Sequence, residues 1–459
     1  MLRRWQAECV DAAIEKYESG KGSHFLCLAT PGAGKTVMAA NVASRLFNQG
    51  LIDYVLCFSP SLIVAEGMKS TFGWVLDCSF NGSIGAVGGS YTYQGLLYFH
   101  EDFWRIFKKY RVLVVFDEIH HCAGTNFLDA NAWGLEVLTN IQEHATYTLA
   151  LTGTPWRSDK TPITLSSYST PDQKLMVDYS YGLYDAVVDG VCRRPKLVLI
   201  DSNDITLKRD NDVKRYTSFK AFFAEESLPY SYLIFQKSAI KYVLRQGCKK
   251  LEEIRLQNPN AAGLVVASSV KHANEIHQLL VSELGQTASL VTYRHDDPLN
   301  EIRAFRSGKT KWIVSVGMIS EGTDIPRLQV CCHLSTVKTE LYFRQVLGRI
   351  LRVNGEPNNE AWLFTLSEER LTDFAHRVIE ELPEEYACLP DSNQSLASVI
   401  TMGSNLWASD AKPCGREREL LLGGVCSIDA LKVVSDDVVR NISIKINGFR
   451  QQVIDSFEM

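Results

Sequence analysis

Apolar residues in this chain come in unbroken runs more often than in alternation. "FLCL" (25–28), "YVLCFSP", "RVLVVFDE" and "TYTLALTGTP" follow one another, each bounded by polar or glycine-containing segments. Between them lie stretches with helical spacing, Gln6 to Tyr17 and then "VMAANVASRLFNQG", which Gly50 ends. Strands that are apolar on both faces and alternate with helices predict a parallel sheet covered on both sides. The pattern restarts at residue 261 with "AAGLVVASS", the helix "VKHANEIHQLLVSEL", then "ASLVTY", "KWIVSVG", "VCCHLS" and "AWLFTL". This predicts a second α/β domain. The stretch from "LVLIDSNDITLKRDNDVKRY" to "CKK" is expected to be a polar connection leading into helices. The expected division is therefore 1–195, 196–382 and an accessory C-terminal segment, 383–459.

Length agrees with this division, since 459 residues exceed what one hydrophobic core usually serves. The N-terminus carries Glu8, Asp11 and Glu15 where a secretory signal would need apolar residues. No window is apolar enough to span a bilayer, so the expectation is a cytoplasmic protein with no membrane partner. The 12 cysteines are scattered without a CxxC pair, which predicts buried free thiols in a reducing compartment and no zinc framework. The net charge of −5 argues against a nucleic-acid partner until it is divided by segment. Residues 1–195 hold 16 Lys/Arg against 19 Asp/Glu, 196–365 hold 23 against 18, and 366–459 hold 9 against 16, giving −3, +5 and −7. The middle of the chain is basic and its end acidic.

Three constellations carry chemistry. In "FLCLATPGAGKT" a strand delivers the chain to Gly32 and Gly34, which let backbone N–H groups turn toward phosphate oxygens. Lys35 then supplies a point charge for β/γ-phosphates and Thr36 a hydroxyl for Mg²⁺, at a helix start that favours anions. In "VLVVFDEIHH" an apolar strand ends in two carboxylates: Asp117 to hold Mg²⁺ and Glu118 to polarise an attacking water, an arrangement for hydrolysis more than for kinase chemistry. His120 and His121 lack the further partners a metal site needs. In "RQVLGRILR" the residues Gln345, Arg349 and Arg352 share one helical face and suit an arginine finger reaching a phosphate across a cleft. Each has a plainer reading alone: a turn with a nearby lysine, carboxylates solvated at a strand end, a solvated arginine face.

Taken in order, "LRRWQ", "ATPGAGKT", "FSPSLIV", "YTYQGL", "DEIH", "LTGTPWR", "VVASSVKHA", "VGMISEGTDIP" and "QVLGRILR" span residues 2–352. The set resembles the superfamily 2 helicases and translocases, DEAH-like branch, in the group that contains RadD, XPB and the type III restriction motor subunits. The resemblance implies an α/β fold of two tandem RecA-like domains, parallel sheets flanked by helices, with ATP in the cleft and a nucleic-acid strand across the top. It implies that Gln6 reads the adenine edge near Trp5 or Arg4. Gly32, Gly34, Lys35 and Thr36 hold phosphates and Mg²⁺, with Asp117 and Glu118 as above. Thr152 and Thr154 couple nucleotide state to movement, Gly322 and Asp324 touch the nucleotide from the second domain, and Arg349 and Arg352, with Gln345 beside them, act in catalysis. Strand contacts fall to Pro60, Ser61, Thr92, Gln94, Ser268 and Ser269, polar groups that grip phosphates without needing a basic surface.

The function implied is an ATP-dependent helicase or translocase, on DNA rather than RNA by likeness to the DNA-acting branch, in repair, recombination or restriction and defence. Two alternatives stay open: the motor subunit of a larger nuclease or defence complex, docked through 383–459, and a nucleic-acid-stimulated ATPase switch that does not unwind. "TYRHDD" lacks the family's usual turn, and no aromatic wedge or β-hairpin is identifiable as a strand separator.

Overall fold

The computed structural model describes residues 2–379 and 442–455, apart from 127–128, 155–156, 158, 160, 171–173, 210–211, 294–296, 318–322, 354 and 356–358. It has two α/β lobes, each built on its own sheet. The first sheet is entirely parallel and runs Gly88–Thr92, Tyr54–Ser59, Val112–Asp117, Tyr147–Thr152, His24–Ala29, Tyr179–Tyr181.

Every residue of Val112–Asp117 is buried, because successive side chains enter different cores. Leu113 and Val115 join Cys27, Cys57 and Leu149 under the helices Arg4–Glu18, Lys35–Asn48 and Leu62–Leu76. Val112, Val114 and Phe116 face the other way, against Tyr93, Leu96, Val137 and Ile141. The unbroken apolar runs thus encode a sheet covered on both faces.

The second sheet runs Asp212–Tyr216, Arg194–Arg209, Glu360–Leu366, Leu328–Leu334, Ala262–Ala267, Trp312–Ser315, Ala288–Val291. Its strands from Arg194–Arg209 to Ala288–Val291 are parallel. Asp212–Tyr216 and Ile442–Ile454 both lie antiparallel to Arg194–Arg209.

Here the structure departs from the expected polar connection. Arg194–Arg209 is a 16-residue strand whose first half pairs in the sheet, Leu197 opposite Leu363. In its second half Ile205 and Leu207 are buried while Asp204 and Lys208 are exposed, the alternation of a strand with one face packed and one in water. Its turn-forming Asp and Asn residues masked that period. The described part of the C-terminal segment is likewise a strand of this sheet, Ile442–Ile454, and the rest of 383–459, with the partner docking expected of it, lies outside the described residues.

Between the lobes the chain passes through residues 189–193. The Arg193 guanidinium is fully buried and donates to the carbonyls of Leu328 (2.9 Å), Ile350 (3.2 Å) and Pro326 (3.1 Å), while its backbone N–H donates to Leu351 O at 2.6 Å. Cys192 forms an isolated antiparallel bridge with Arg352. All nine cysteines whose state is described are free thiols. Among the described residues no helix is long and apolar enough to cross a membrane.

Candidate nucleotide site between the lobes

The glycine-rich turn takes the shape that its residues permit. Gly32 (φ 87°) and Gly34 (φ 98°) occupy left-handed backbone, with Gly34 as N-cap of Lys35–Asn48. A Cβ on Gly34 would lie 2.8 Å from Gln6 Nε2, so the turn is packed as well as bent. Gln6 is buried and donates to Gly34 O at 3.0 Å; Arg3 Nη1 donates to Ala33 O at 2.6 Å. Trp5, expected near an adenine, is buried and stacks on Tyr181 with ring centroids 4.8 Å apart, whereas Arg4 is exposed and pairs with Asp189 at 3.4 Å. The helix therefore braces the glycine-rich turn from behind.

Lys35 is buried, donates to Ala29 O at 3.0 Å and lies 3.6 Å from Glu118 Oε1. Thr36 follows it, half-buried at the helix start. Asp117 and Glu118 end the central strand beside this lysine. Burial, then the neighbouring Glu118 charge, pushes the Asp117 carboxyl up to about 6. Burial acts the same way on Glu118, but Lys35, His120 and the Gly153 N–H outweigh it and hold that carboxyl below its ordinary value. Buried Asp117 and half-buried Glu118 beside a single lysine form a donor set that fits a further cation.

Glu118 also reaches the loop after Tyr147–Thr152. Its Oε2 accepts from Gly153 N at 3.2 Å and from Thr152 Oγ1 at 3.5 Å. His120 Nδ1 lies 3.0 Å from Thr152 Oγ1 and 3.4 Å from both Thr154 Oγ1 and Glu118 Oε2. His120 is thus an internal link between the carboxylate box and the two threonines. Among the described residues no cluster of three metal-ligating side chains occurs.

From the second lobe, helix Glu340–Ile350 approaches the glycine-rich turn. A Cβ on Gly348 would lie 2.5 Å from Pro31 Cβ, and one on Gly32 would lie 3.1 Å from Arg352 Cγ. Arg352 thus crosses the cleft onto the glycine turn. Its Nη1 and that of Arg349 both donate to Thr323 O, at 3.0 and 2.9 Å. Arg352 also pairs with Asp324, which pairs with Arg306 at 3.0 Å. Gln345 is half-buried one turn earlier. Gly322 lies outside the described residues.

The candidate strand-contact residues gather at the carboxyl ends of the parallel strands, where ligands of such sheets bind. Pro60 and Ser61 follow Tyr54–Ser59, Thr92 ends Gly88–Thr92, and Ser268 and Ser269 follow Ala262–Ala267. Ser61, Thr92 and Ser269 are helix N-caps, accepting from Val64, Gly95 and His272 N–H groups. Ser268 Oγ lies 3.1 Å from His272 Nδ1, and Gln94 Nε2 donates to Pro60 O at 3.5 Å. Sequence reasoning missed Gly348, Gly153 and Arg3. Of these only Gly348 carried a signal, a glycine inside a helical pattern.

Residues 1–157 match the family model described as the res subunit of type III restriction enzymes, and 246–354 match the helicase conserved C-terminal domain. An uncharacterized protein of Mycobacterium leprae is 30% identical over 394 residues, 82% of this chain and 63% of the relative. The chain thus spans under two thirds of that relative's length. A protein named DNA 3'-5' translocase XPB2, from Sulfurisphaera tokodaii, is 25% identical over 403 residues, 81% of this chain and 83% of that one. Among solved structures, an HsdR-subunit fragment of a type I restriction enzyme from Vibrio vulnificus superposes with a TM-score of 0.56 at 17% identity, over 83% of this chain and 67% of that one.

Proposed function

The chain belongs to the superfamily 2 helicases and translocases, and on that premise we propose that it is an ATP-driven motor that moves along nucleic acid, on DNA rather than RNA. The observation that carries this reading is that Arg352 of the second lobe lies on Gly32 of the first, beside Lys35, Asp117 and Glu118. A nucleotide there would touch both lobes, so its presence and loss would change how they sit together. Residues 1–195 would form the ATP-binding motor domain and 196–382 the second.

Lys35 now rests on Ala29 O and Glu118; arriving β/γ-phosphates would draw it away and leave Glu118 to orient water. Thr36 and Asp117 are the groups that would hold Mg²⁺, which supplies charge neutralisation at the phosphates when bound. Arg349 and Arg352 would turn from Thr323 O toward the charge on the γ-phosphoryl group as it passes to water and ADP departs. Loss of that phosphate would be felt at once through Gly153 and Thr152, because both already contact the Glu118 carboxylate. Gln6 would hold the turn's shape, its Nε2 donating to Gly34 O and its Oε1 accepting from the Arg3 N–H, and would offer its second amide hydrogen to the base. The preference for DNA rests on the likeness to a protein named a DNA translocase.

The test is steady-state ATP hydrolysis with single-stranded DNA, duplex DNA and RNA, followed by strand displacement and third-strand displacement. A motor on DNA is stimulated by DNA and displaces at least one of the two. Stimulation by RNA alone sinks the DNA assignment. Stimulation without displacement of either kind supports the switch instead.

A further inference from the structure

Arg194–Arg209 runs parallel to Glu360–Leu366, and its last partner there is Ile200 opposite Leu366. Residues 201–209 therefore continue beyond that partner from the carboxyl end of the sheet, a reach of roughly 30 Å at ~3.3 Å per residue if fully extended. Ser268 and Ser269 lie at the same carboxyl edge. The extension is a three-stranded antiparallel arm, with Asp212–Tyr216 on one side and the start of Ile442–Ile454 on the other.

Register assigns each side chain of the arm to a face. Ile205 opposite Tyr216 and Ile446, and Leu207 between Lys214 and Ile444, turn inward; Tyr216 packs on Phe222 of helix Phe219–Glu225 at 5.3 Å. On this side Arg209 and Lys214 are neutralised by Glu226, at 3.3 and 3.0 Å. The other face is open. There Thr206 stands between Arg215 and Lys445, and Lys208 stands between Val213 and Ser443. Arg215, Lys445 and Lys208 are exposed, and among the described residues none has a carboxylate within ion-pair distance. Asp204, further along, bonds Asn447 at 3.1 Å. Strand spacing of ~4.8 Å separates Arg215 from Lys445 by ~10 Å, and Lys208 lies diagonal to both at ~7 Å. Three like charges this close repel one another unless an anion lies across them.

We propose that this face is a binding arm for the phosphate backbone of nucleic acid, engaging the track beyond the loops at the carboxyl edge of the second lobe. The inference rests on the reading of the chain as a nucleic-acid motor. Phosphates match the arm because register places the three cations on one open face within ~7 to 10 Å of one another, which positions a backbone without reading sequence.

The test replaces Lys208→Gln, Arg215→Gln and Lys445→Gln together in the full chain and measures binding of single-stranded and duplex DNA oligonucleotides across a salt series. Affinity at low salt is expected to fall roughly tenfold or more, and the salt slope to shrink by about 2 to 3. ATP hydrolysis without nucleic acid should stay at the wild-type rate. Lys208→Arg with Lys445→Arg should keep the wild-type slope; if it too loses binding, the effect comes from packing and the arm is rejected. Wild-type affinity and slope in the Gln variant also overturn the arm and leave the motor reading standing. A Gln variant that binds more tightly assigns the face to the chain's own acidic segment and rejects the arm. A wild-type protein that binds no nucleic acid rejects both.

Discussion

Glu118 holds a left-handed backbone (φ 52°) that a residue with a Cβ keeps only where its surroundings fix it. The Gly153 N–H, Thr152, His120 and Lys35 supply that fixation. Glu118→Gln would keep the shape and remove the proposed base. Turnover is expected to fall by about 10² to 10⁴-fold, with ATP-analogue and nucleic-acid affinity kept, as read by ATPase rate beside equilibrium binding. Gly348 is the second sensitive position, because no side chain fits over Pro31. Gly348→Val should push helix Glu340–Ile350 off the phosphate turn and cut turnover by roughly 100-fold, the scale of an ångström's misplacement of a catalytic group. The isolated nucleotide turn would still bind an ATP analogue; unchanged turnover would mean that the lobes do not close this way. The grouping of Lys35 with Asp117 and Glu118 was legible from sequence because the chemistry proposed for them is tied to residue type. Gly153 and Arg3 act through backbone N–H geometry and a carbonyl contact, which residue type does not announce.

At the scale of elements, the continuous apolar strands were legible and the alternating one was not. Arg194–Arg209 reads as linker because its polar half is rich in Asp and Asn, and its partner Ile442–Ile454 lies more than 200 residues away in sequence. A strand whose pairing is that distant leaves only its period as a local signal. Ile442–Ile454 covers the outer edge of Arg194–Arg209 from Leu197 to Arg209 and buries Ile446 and Ile454. Ending the chain at residue 441 should lower the melting temperature and cause association, since it bares a long edge and removes apolar side chains worth about 1.5–3 kcal/mol each. Thermal melts and light scattering on the two lengths decide it. An unchanged melting point would show that the strand is not part of the folded core.

For the whole molecule, three histidines spread over both lobes couple stability to acidity. Burial pushes His24, His272 and His333 down to about 4 each. The unfolded chain therefore binds protons that the folded one refuses between about pH 6.5 and 4, so stability is full above that window and is lost as pH falls through it. The loss reaches about 1.4 kcal/mol per pH unit for each histidine in mid-window. A melting temperature that is flat from pH 7 to 5 would contradict this. Cys192 is bridged to Arg352, so the arginine sits almost on the pivot about which the lobes would turn. Ala288–Val291 is five strand spacings from Arg194–Arg209, a radius of ~24 Å against ~5 Å at the bridge. Withdrawing Arg352 by ~1 Å would then sweep the distant edge through ~5 Å, a gearing of roughly five. Such a layout would trade force at Arg352 for travel at the rim, so that a short retreat of the arginine would become a longer sweep of the distant edge.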